Sequence, residues 1–185
     1  IGGHVIQIGK IGYKGWDSVR KTADPLAENG AESIYKAADE SDVRCLDQDL
    51  SHEMREEIKI KRKEGTSLGG IYEIIVTGLP AGLGSHVHWD RKLDGQLAQA
   101  IVSTQAMKGV EIGLGFDAGK THGHNVHDEI IYENDSFKRR TNRLGGFEGG
   151  MTTGMPIIIR GVMKPIPTMI KPLKTADIET KEEQD

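Results

Sequence analysis

Two clusters of histidines are the most conspicuous groups in the sequence that could do chemistry. His86 and His88 are separated by one residue, and His122, His124 and His127 follow in a second polar stretch. Imidazole nitrogens bind zinc and other transition metals, so a metal-binding module is one hypothesis for this chain. Neither cluster has the H-E-x-x-H spacing of a helical zinc site or a cysteine partner, so the alternative is that these are loop histidines. We therefore assign no residue as a metal ligand.

The common motifs for a nucleophile or a phosphate loop are incomplete in this sequence. Ser85 lies in GLGSH, which lacks the second glycine of a G-x-S-x-G elbow. The same stretch lacks the lysine of a P-loop, and GGFEGG at 145–150 is not a G-x-G-x-x-G fingerprint. Generic motifs therefore assign no catalytic residue.

The stretch from Thr141 to Thr168 is rich in glycine and then strongly apolar. Its glycines are at positions 145, 146, 149, 150 and 154. Glycine in such numbers indicates backbone with positive φ, or backbone that something approaches closely. The stretch is therefore interpreted either as a backbone-lined site for an anion or cofactor, or as glycines required by packing alone.

The apolar run ends at Lys164, which is followed by Pro165, Pro167 and Thr168. The prolines hold the chain extended. A cation and a hydroxyl at the end of a buried strand suit a phosphate or a polarised ring carbonyl. Arg160, within the apolar run, is expected either to serve similarly or to point to solvent.

Alternation and helical spacing predict the elements that carry these residues. Strands are expected at 4–8, 71–79 and 109–116, and helices at 17–23, 32–38, 47–65 and 94–105. The first two helices, separated by Pro25 and Asn29-Gly30, are expected to be peripheral. The third has Asp47 as its N-cap and Gly65 as its C-cap. Mixed elements without a clean βαβ repeat favour an α+β fold or a layered sandwich.

Composition bounds the function classes. The chain has 185 residues, 20.3 kDa, a formal net charge of -4 and a pI near 6.0, which argues against a nucleic-acid partner. The single cysteine, Cys45, excludes an intrachain disulfide and fits a reducing cytoplasm. No apolar run approaches the roughly 18 residues of a membrane span, which predicts a soluble protein.

Residues 1–172 are expected to form a single core, and residues 173–185 a polar, acidic tail or linker. The chain starts with a strand-like segment and has no initiating Met, which predicts that it is a piece of a longer protein.

Several long motifs, in order along nearly the whole chain, resemble chorismate synthase. They are DVRCLD at 42–47, GLPAGLGSHVHWDRKLDGQLAQAIVSTQAMKGVEIGLGF at 78–116, HDEI at 127–130 and NRLGGFEGGMTTGMPIIIRGVMKPIPT at 142–168. The resemblance implies a β-α-β sandwich of antiparallel strands and helices. It also links the family to NADP, to the cytoplasm and to a homotetramer.

The resemblance implies a lyase of the shikimate pathway of aromatic amino acid biosynthesis. The family converts 5-enolpyruvylshikimate 3-phosphate to chorismate and phosphate by a 1,4-anti elimination, and it requires reduced FMN. Positive charge and hydrogen-bond donors are expected around an electron-rich flavin and an anionic substrate.

The family's flavin contacts, carried over position by position, fall on three parts of the chain. These are Gln105 with Ala106, Gly149, and the run Lys164, Pro165, Ile166, Pro167 and Thr168. Many relatives have Asn or Pro at the position of Gln105, so a side-chain contact there is expected to differ.

The resemblance also implies what this piece lacks. The family's catalytic histidines, its arginines for the substrate and an Arg-Ser-Ser flavin motif do not occur in the chain. We therefore expect the chain alone to be inactive and to bind FMN weakly. Besides the metal-binding module, the alternative hypothesis is a structural oligomerisation domain.

Overall fold

The structure is a computed structural model that describes residues 1–184. The α-helices are α1 (Trp16–Ala27), α2 (Ala31–Asp39), α3 (Gln48–Lys63) and α4 (Leu93–Ser103). The longer strands are β1 (Gly2–Ile8), β3 (Gly70–Val76), β4 (Met107–Ile112) and β9 (Ile157–Met163). The short strands are β2 (Ile11–Gly12), β5 (Ile130–Glu133), β6 (Ser136–Arg139), β7 (Phe147–Glu148), β8 (Met151–Thr152), β10 (Thr175–Ala176) and β11 (Glu183–Gln184).

Five of the strands form one antiparallel sheet in the order β2, β1, β3, β9, β4. Successive side chains of β9 point to opposite faces of this sheet. Ile158 packs with Trp16, Ala23 and Ile34 from α1 and α2. Ile159, on the other face, packs with α4. The sheet thus has helices on both faces, and the predicted α+β fold is confirmed.

The third predicted helix is confirmed at both ends. The Asp47 side chain accepts a hydrogen bond from the Leu50 amide, 2.9 Å away, as an N-cap does. The helix ends before Gly65, whose φ of 73° is the left-handed conformation expected of a C-cap glycine. Helical spacing together with local capping chemistry therefore predicted α3.

The prediction that the first two helices are peripheral is wrong. Ala23, Ala31 and Ile34 are at most 2% exposed and belong to the larger core cluster. Pro25 lies inside α1 and has no amide hydrogen, so the helix loses one backbone hydrogen bond there but still continues to Ala27. One side of each of these short helices is buried because it packs against a face of the sheet.

The strand β4 is shorter than predicted. The strand predicted at 109–116 ends at Ile112, because Gly113 and Gly115 have φ of 58° and 57° and turn the chain into a 3-10 segment.

The segment after 172 contains the exposed hairpin of β10 and β11. None of the helices within residues 1–184 combines the length and the apolar content that crossing a membrane requires.

Candidate functional site

Ala106 and Lys164 lie side by side, although 58 positions separate them in the sequence. Residues Met107 and Met163 are partners in the β4–β9 pairing, so the residue before β4 and the residue after β9 must be neighbours. The Lys164 amide donates to the Ala106 carbonyl oxygen at 2.9 Å. Ala106 has φ of 69°, a left-handed turn conformation that is uncommon for residues other than glycine. We call Gln105, Ala106 and residues 164–168 the Lys164 cluster.

Gln105 and residues 164–168 are exposed, Ala106 is half-buried, and residues 164–168 form no regular secondary structure. Pro165 and Pro167 have no amide hydrogen to donate. None of the ion pairs formed by residues 1–184 includes Lys164. The cluster therefore presents an unpaired cation, two rigid apolar rings and the Thr168 hydroxyl on an accessible surface.

A cavity of about 540 Å³ opens beside the cluster. Ile166 and Thr168 line one side of it, and Ile71 and Tyr72 of β3 line another. Its lining is mainly apolar; Arg62 of α3 adds a positive charge, while the neighbouring Lys61 is paired with Glu64 at 2.8 Å. A volume of this size is in the range of pockets for small molecules and cofactors.

Gly149 lies apart from the Lys164 cluster. It is in the turn between β7 and β8, and its neighbour Gly150 accepts a hydrogen bond from the Leu93 amide at the start of α4. Gln105 and Ala106 follow the other end of α4. The 11 residues of that helix are about 16 Å long at 1.5 Å per residue. Within this chain the predicted contacts are therefore two separate groups.

The glycines around Gly149 are required by packing. A Cβ added to Gly145 would be 2.4 Å from the Gly113 amide nitrogen, and one added to Gly146 would be 2.6 Å from the Pro156 carbonyl oxygen. Around Gly149, in contrast, the nearest atom to an added Cβ would be the His86 Cβ, 3.9 Å away. Gly149 is thus exposed and open to approach, while Gly145 and Gly146 serve close contact between backbone segments.

The loop histidines do not converge on a metal site. His122 and His124 stack with their ring centroids 5.9 Å apart. Across residues 1–184, no group of three or more His, Cys, Asp or Glu side chains is arranged to hold a metal ion. The metal-binding alternative therefore has no support from the structure.

A row of ionisable side chains crosses the sheet, and none of the sequence motifs predicted it. His4, Glu73, Arg160 and Glu111 are consecutive partners on β1, β3, β9 and β4. His4 Nε2 lies 3.1 Å from Glu73 Oε1, and Arg160 Nη2 lies 3.3 Å from Glu111 Oε2. Arg20 of α1 also donates to the Glu73 carboxylate. The signal that could have found the row is an ionisable residue within each of these largely apolar strands.

Both expectations for Arg160, that it binds a phosphate or that it points to solvent, are therefore wrong. It is 8% exposed, and its guanidinium lies 5.4 Å from the centroid of the Trp16 ring. Arg160 Nη2 also donates to the Gly113 carbonyl oxygen at 2.6 Å. Arg160 binds the sheet to α1 and to the turn after β4.

Cys45 is not a reactive nucleophile. It is fully buried, and burial raises the pKa of its thiol. Burial likewise raises the pKa of the neighbouring Tyr13 hydroxyl, with the adjacent Cys45 as a further cause. The thiolate is the reactive form of cysteine, so a raised pKa makes Cys45 inert at neutral pH.

Comparisons with known proteins find relatives over nearly the whole chain. The sequence model of the chorismate synthase family matches residues 1–185. The chorismate synthases of Geobacillus sp. (strain WCH70) and Bacillus subtilis (strain 168) are 54% and 50% identical to the chain over 183 residues. That match is 98% of this chain, and 45% and 44% of the two relatives. The chain thus spans about half the length of the curated relatives it matches.

A crystal structure of chorismate synthase has a similar fold. It matches with a TM-score of 0.79 and 41% sequence identity, over 89% of this chain and 49% of the solved one. The sandwich of antiparallel strands and helices expected from the sequence is therefore the fold of this chain. Sequence and fold lead to the same assignment, and the chain belongs to the chorismate synthase family.

Proposed function

We propose that this chain is part of an FMN-dependent lyase that converts 5-enolpyruvylshikimate 3-phosphate to chorismate and phosphate by 1,4-anti elimination. The observation that carries the proposal is the family match over residues 1–185, together with relatives at about half identity. The substrate and product follow from the family, because the chain itself contains only part of its relatives' length.

The residues of the Lys164 cluster fit a flavin phosphate or an electron-rich ring. The Lys164 ammonium is exposed and forms no ion pair with the rest of residues 1–184, so it is available to an anion. Ile166 and Thr168 border the adjacent cavity of about 540 Å³, which is large enough for part of a cofactor. The residues proposed to hold FMN are Gln105, Ala106, Gly149, Lys164, Pro165, Ile166, Pro167 and Thr168.

A bound reduced flavin would supply electron density that assists the loss of phosphate from the substrate. Lys164 stabilises negative charge, and its effect is strengthened wherever cofactor and substrate exclude water. Pro165 and Pro167 give a rigid surface that loses little conformational freedom on binding. Gly149 offers open backbone that a ligand can approach. We assign no proton transfer to any residue of this chain.

We extend the proposal to the organisation of the whole protein. Residues 1–172 act as one core and residues 173–185 as a surface tail, because both strands of the tail hairpin are exposed. The whole protein works as a cytoplasmic homotetramer. The assignments of NADP, of the cytoplasm and of the tetramer rest on the family resemblance.

The test is phosphate release by the whole protein from 5-enolpyruvylshikimate 3-phosphate, with reduced FMN under anaerobic conditions. We expect turnover with reduced FMN and none with oxidised FMN alone. An active reaction that needs no flavin, or a folded whole protein without any phosphate release, would contradict the proposal.

The isolated chain provides the matched control. We expect residues 1–185 alone to release no phosphate and to bind FMN at least tenfold more weakly than the whole protein, because an incomplete pocket is poorly preorganised. A fluorescence titration of both with FMN measures the difference. Turnover by the isolated chain would contradict this expectation.

A further inference from the structure

We propose that the connection between α3 and β3, residues 65–69, sets the conformation of residues 164–168, and that Ser67 is a positioning residue for the flavin. This inference rests on the proposed function, since it concerns the segment proposed to bind FMN. Nothing in the sequence suggested it, because residues 65–69 and 164–168 are about 100 positions apart.

Residues 164–168 have little internal structure that could fix their conformation. They lie outside β9 and form no helix, and two of the five are prolines without an amide hydrogen. On one side, the Lys164 amide donates to Ala106 at 2.9 Å. An extended, exposed segment with so few internal hydrogen bonds needs contacts from elsewhere to keep one conformation.

Ser67 provides such a contact at the middle of the segment. Its hydroxyl donates to the carbonyl oxygen of Ile166, the residue between the two prolines. Just beyond the segment, the Thr66 hydroxyl donates to the Met169 sulfur at 3.4 Å, and the Lys171 amide donates to the Gly65 carbonyl oxygen at 2.9 Å. Three consecutive residues of the connection thus hold the chain that follows β9.

Gly69 lets the two segments approach closely. A Cβ at this position would lie 2.4 Å from the Met163 carbonyl oxygen and 3.0 Å from Cδ of Pro165. The first distance involves backbone, so Pro165 and the end of β9 would have to move. The Gly69 carbonyl accepts from the Gly9 amide at 2.9 Å, which fixes the connection to the turn after β1. The connection is therefore fixed to the sheet and can determine the conformation of residues 164–168.

The experiment is an FMN titration of the whole protein and of three variants, Ser67→Ala, Ser67→Thr and Ser18→Ala. Loss of one neutral hydrogen bond predicts about fivefold weaker FMN binding for Ser67→Ala. Ser67→Thr keeps a hydroxyl and should bind within twofold of wild type. Ser18 also donates from an exposed hydroxyl to a backbone carbonyl, that of Gly15, and its removal should leave FMN affinity unchanged.

A kinetic measurement separates positioning from general destabilisation. In Ser67→Ala the FMN concentration that gives half-maximal turnover should rise about fivefold, while kcat at saturating FMN stays within twofold of wild type. Hydrogen exchange should become faster in residues 164–171 and remain unchanged elsewhere. Gly69→Ala, a second variant, should weaken FMN binding by tenfold or more.

The outcomes separate this inference from the function it rests on. If wild type binds no FMN, the proposed function is contradicted and the positioning role is lost with it. If wild type binds FMN and Ser67→Ala binds it equally well, with unchanged exchange at 164–171, only the positioning role is overturned. A Ser67→Ala protein that loses kcat and melts early, with no rescue by Ser67→Thr, also overturns it.

Discussion

The two ends of β9 are built in opposite ways. The segment before the strand, residues 145–156, has buried glycines at 145, 146 and 150 that touch other backbone segments. The segment after it, residues 164–168, is exposed and follows no regular hydrogen-bond pattern. Both looked like parts of one ligand site in the sequence. In the structure, the segment before the strand mainly packs backbone against backbone, with Gly149 as an exposed exception, and the segment after it offers the groups that can bind an anion.

This contrast teaches how to interpret a glycine-rich stretch. Gly145 and Gly149 have nearly the same backbone conformation, with φ of 65° and 60°. The two glycines differ in their surroundings, because Gly145 lies against the backbone of Gly113 and Gly149 is exposed to solvent. A positive φ indicates only that glycine is favoured. The surroundings decide whether a ligand can use the exposed backbone.

The largest effect is expected in the middle of β9. Arg160→Ala removes a buried cation and leaves Glu111 without its partner, which should lower the free energy of unfolding by about 3 kcal/mol or more. Thermal unfolding of the whole protein measures this. The control is Arg55→Ala, which removes an exposed pair with Asp42 and should have little effect. Equal stabilities for the two variants would contradict the structural role of Arg160.

The next effect compares two glycines directly. Gly145→Ala combines positive φ with contact to the backbone of Gly113, so we expect a loss of about 2–3 kcal/mol in stability. Gly149→Ala has positive φ but free space, so we expect only about 1 kcal/mol. Denaturant unfolding gives both values. If Gly149→Ala were the more damaging of the two, packing would not be what separates these positions.

A smaller effect on free energy is expected at the other end of β9, and it concerns binding. Lys164→Ala removes an exposed cation, so FMN affinity should fall about tenfold, or about 1.4 kcal/mol, while the unfolding midpoint stays unchanged. Lys164→Arg keeps the charge and should recover part of the affinity. Lys174→Ala, at an exposed lysine paired with Glu183, is the control. Unchanged FMN binding in Lys164→Ala would remove Lys164 from the site.

The smallest effect tests whether helix stability and binding are separate. Asp47→Ala removes the N-cap of α3, far along the helix from the connection that contacts residues 164–168. We expect about 1 kcal/mol of lost stability and no change in FMN affinity. Asp47→Asn keeps a capping side chain and should retain most of the stability. A parallel loss of FMN binding in Asp47→Ala would show that the whole helix, and not only its end, supports the segment.

Much of the fold was predictable because its signals are local. The cap at Asp47, the stop at Gly65 and the apolar runs of β3 and β9 were all correct. The prediction that α1 and α2 are peripheral was wrong, because a short helix with polar residues carries no local sign that one of its sides packs on a sheet. The role of Arg160 was missed for a similar reason, since its partners Glu111 and Trp16 are distant in sequence.

The sequence by itself determined the family, the elements and the residues proposed to bind FMN, since these depend on residue type and order along the chain. Only the tertiary structure decided which of those residues are neighbours. Antiparallel pairing of β4 with β9 brings Ala106 to Lys164, and the length of α4 keeps Gly149 away from both. The contact of Ser67 with Ile166 likewise depends on strand order, because β3 and β9 lie side by side in the sheet.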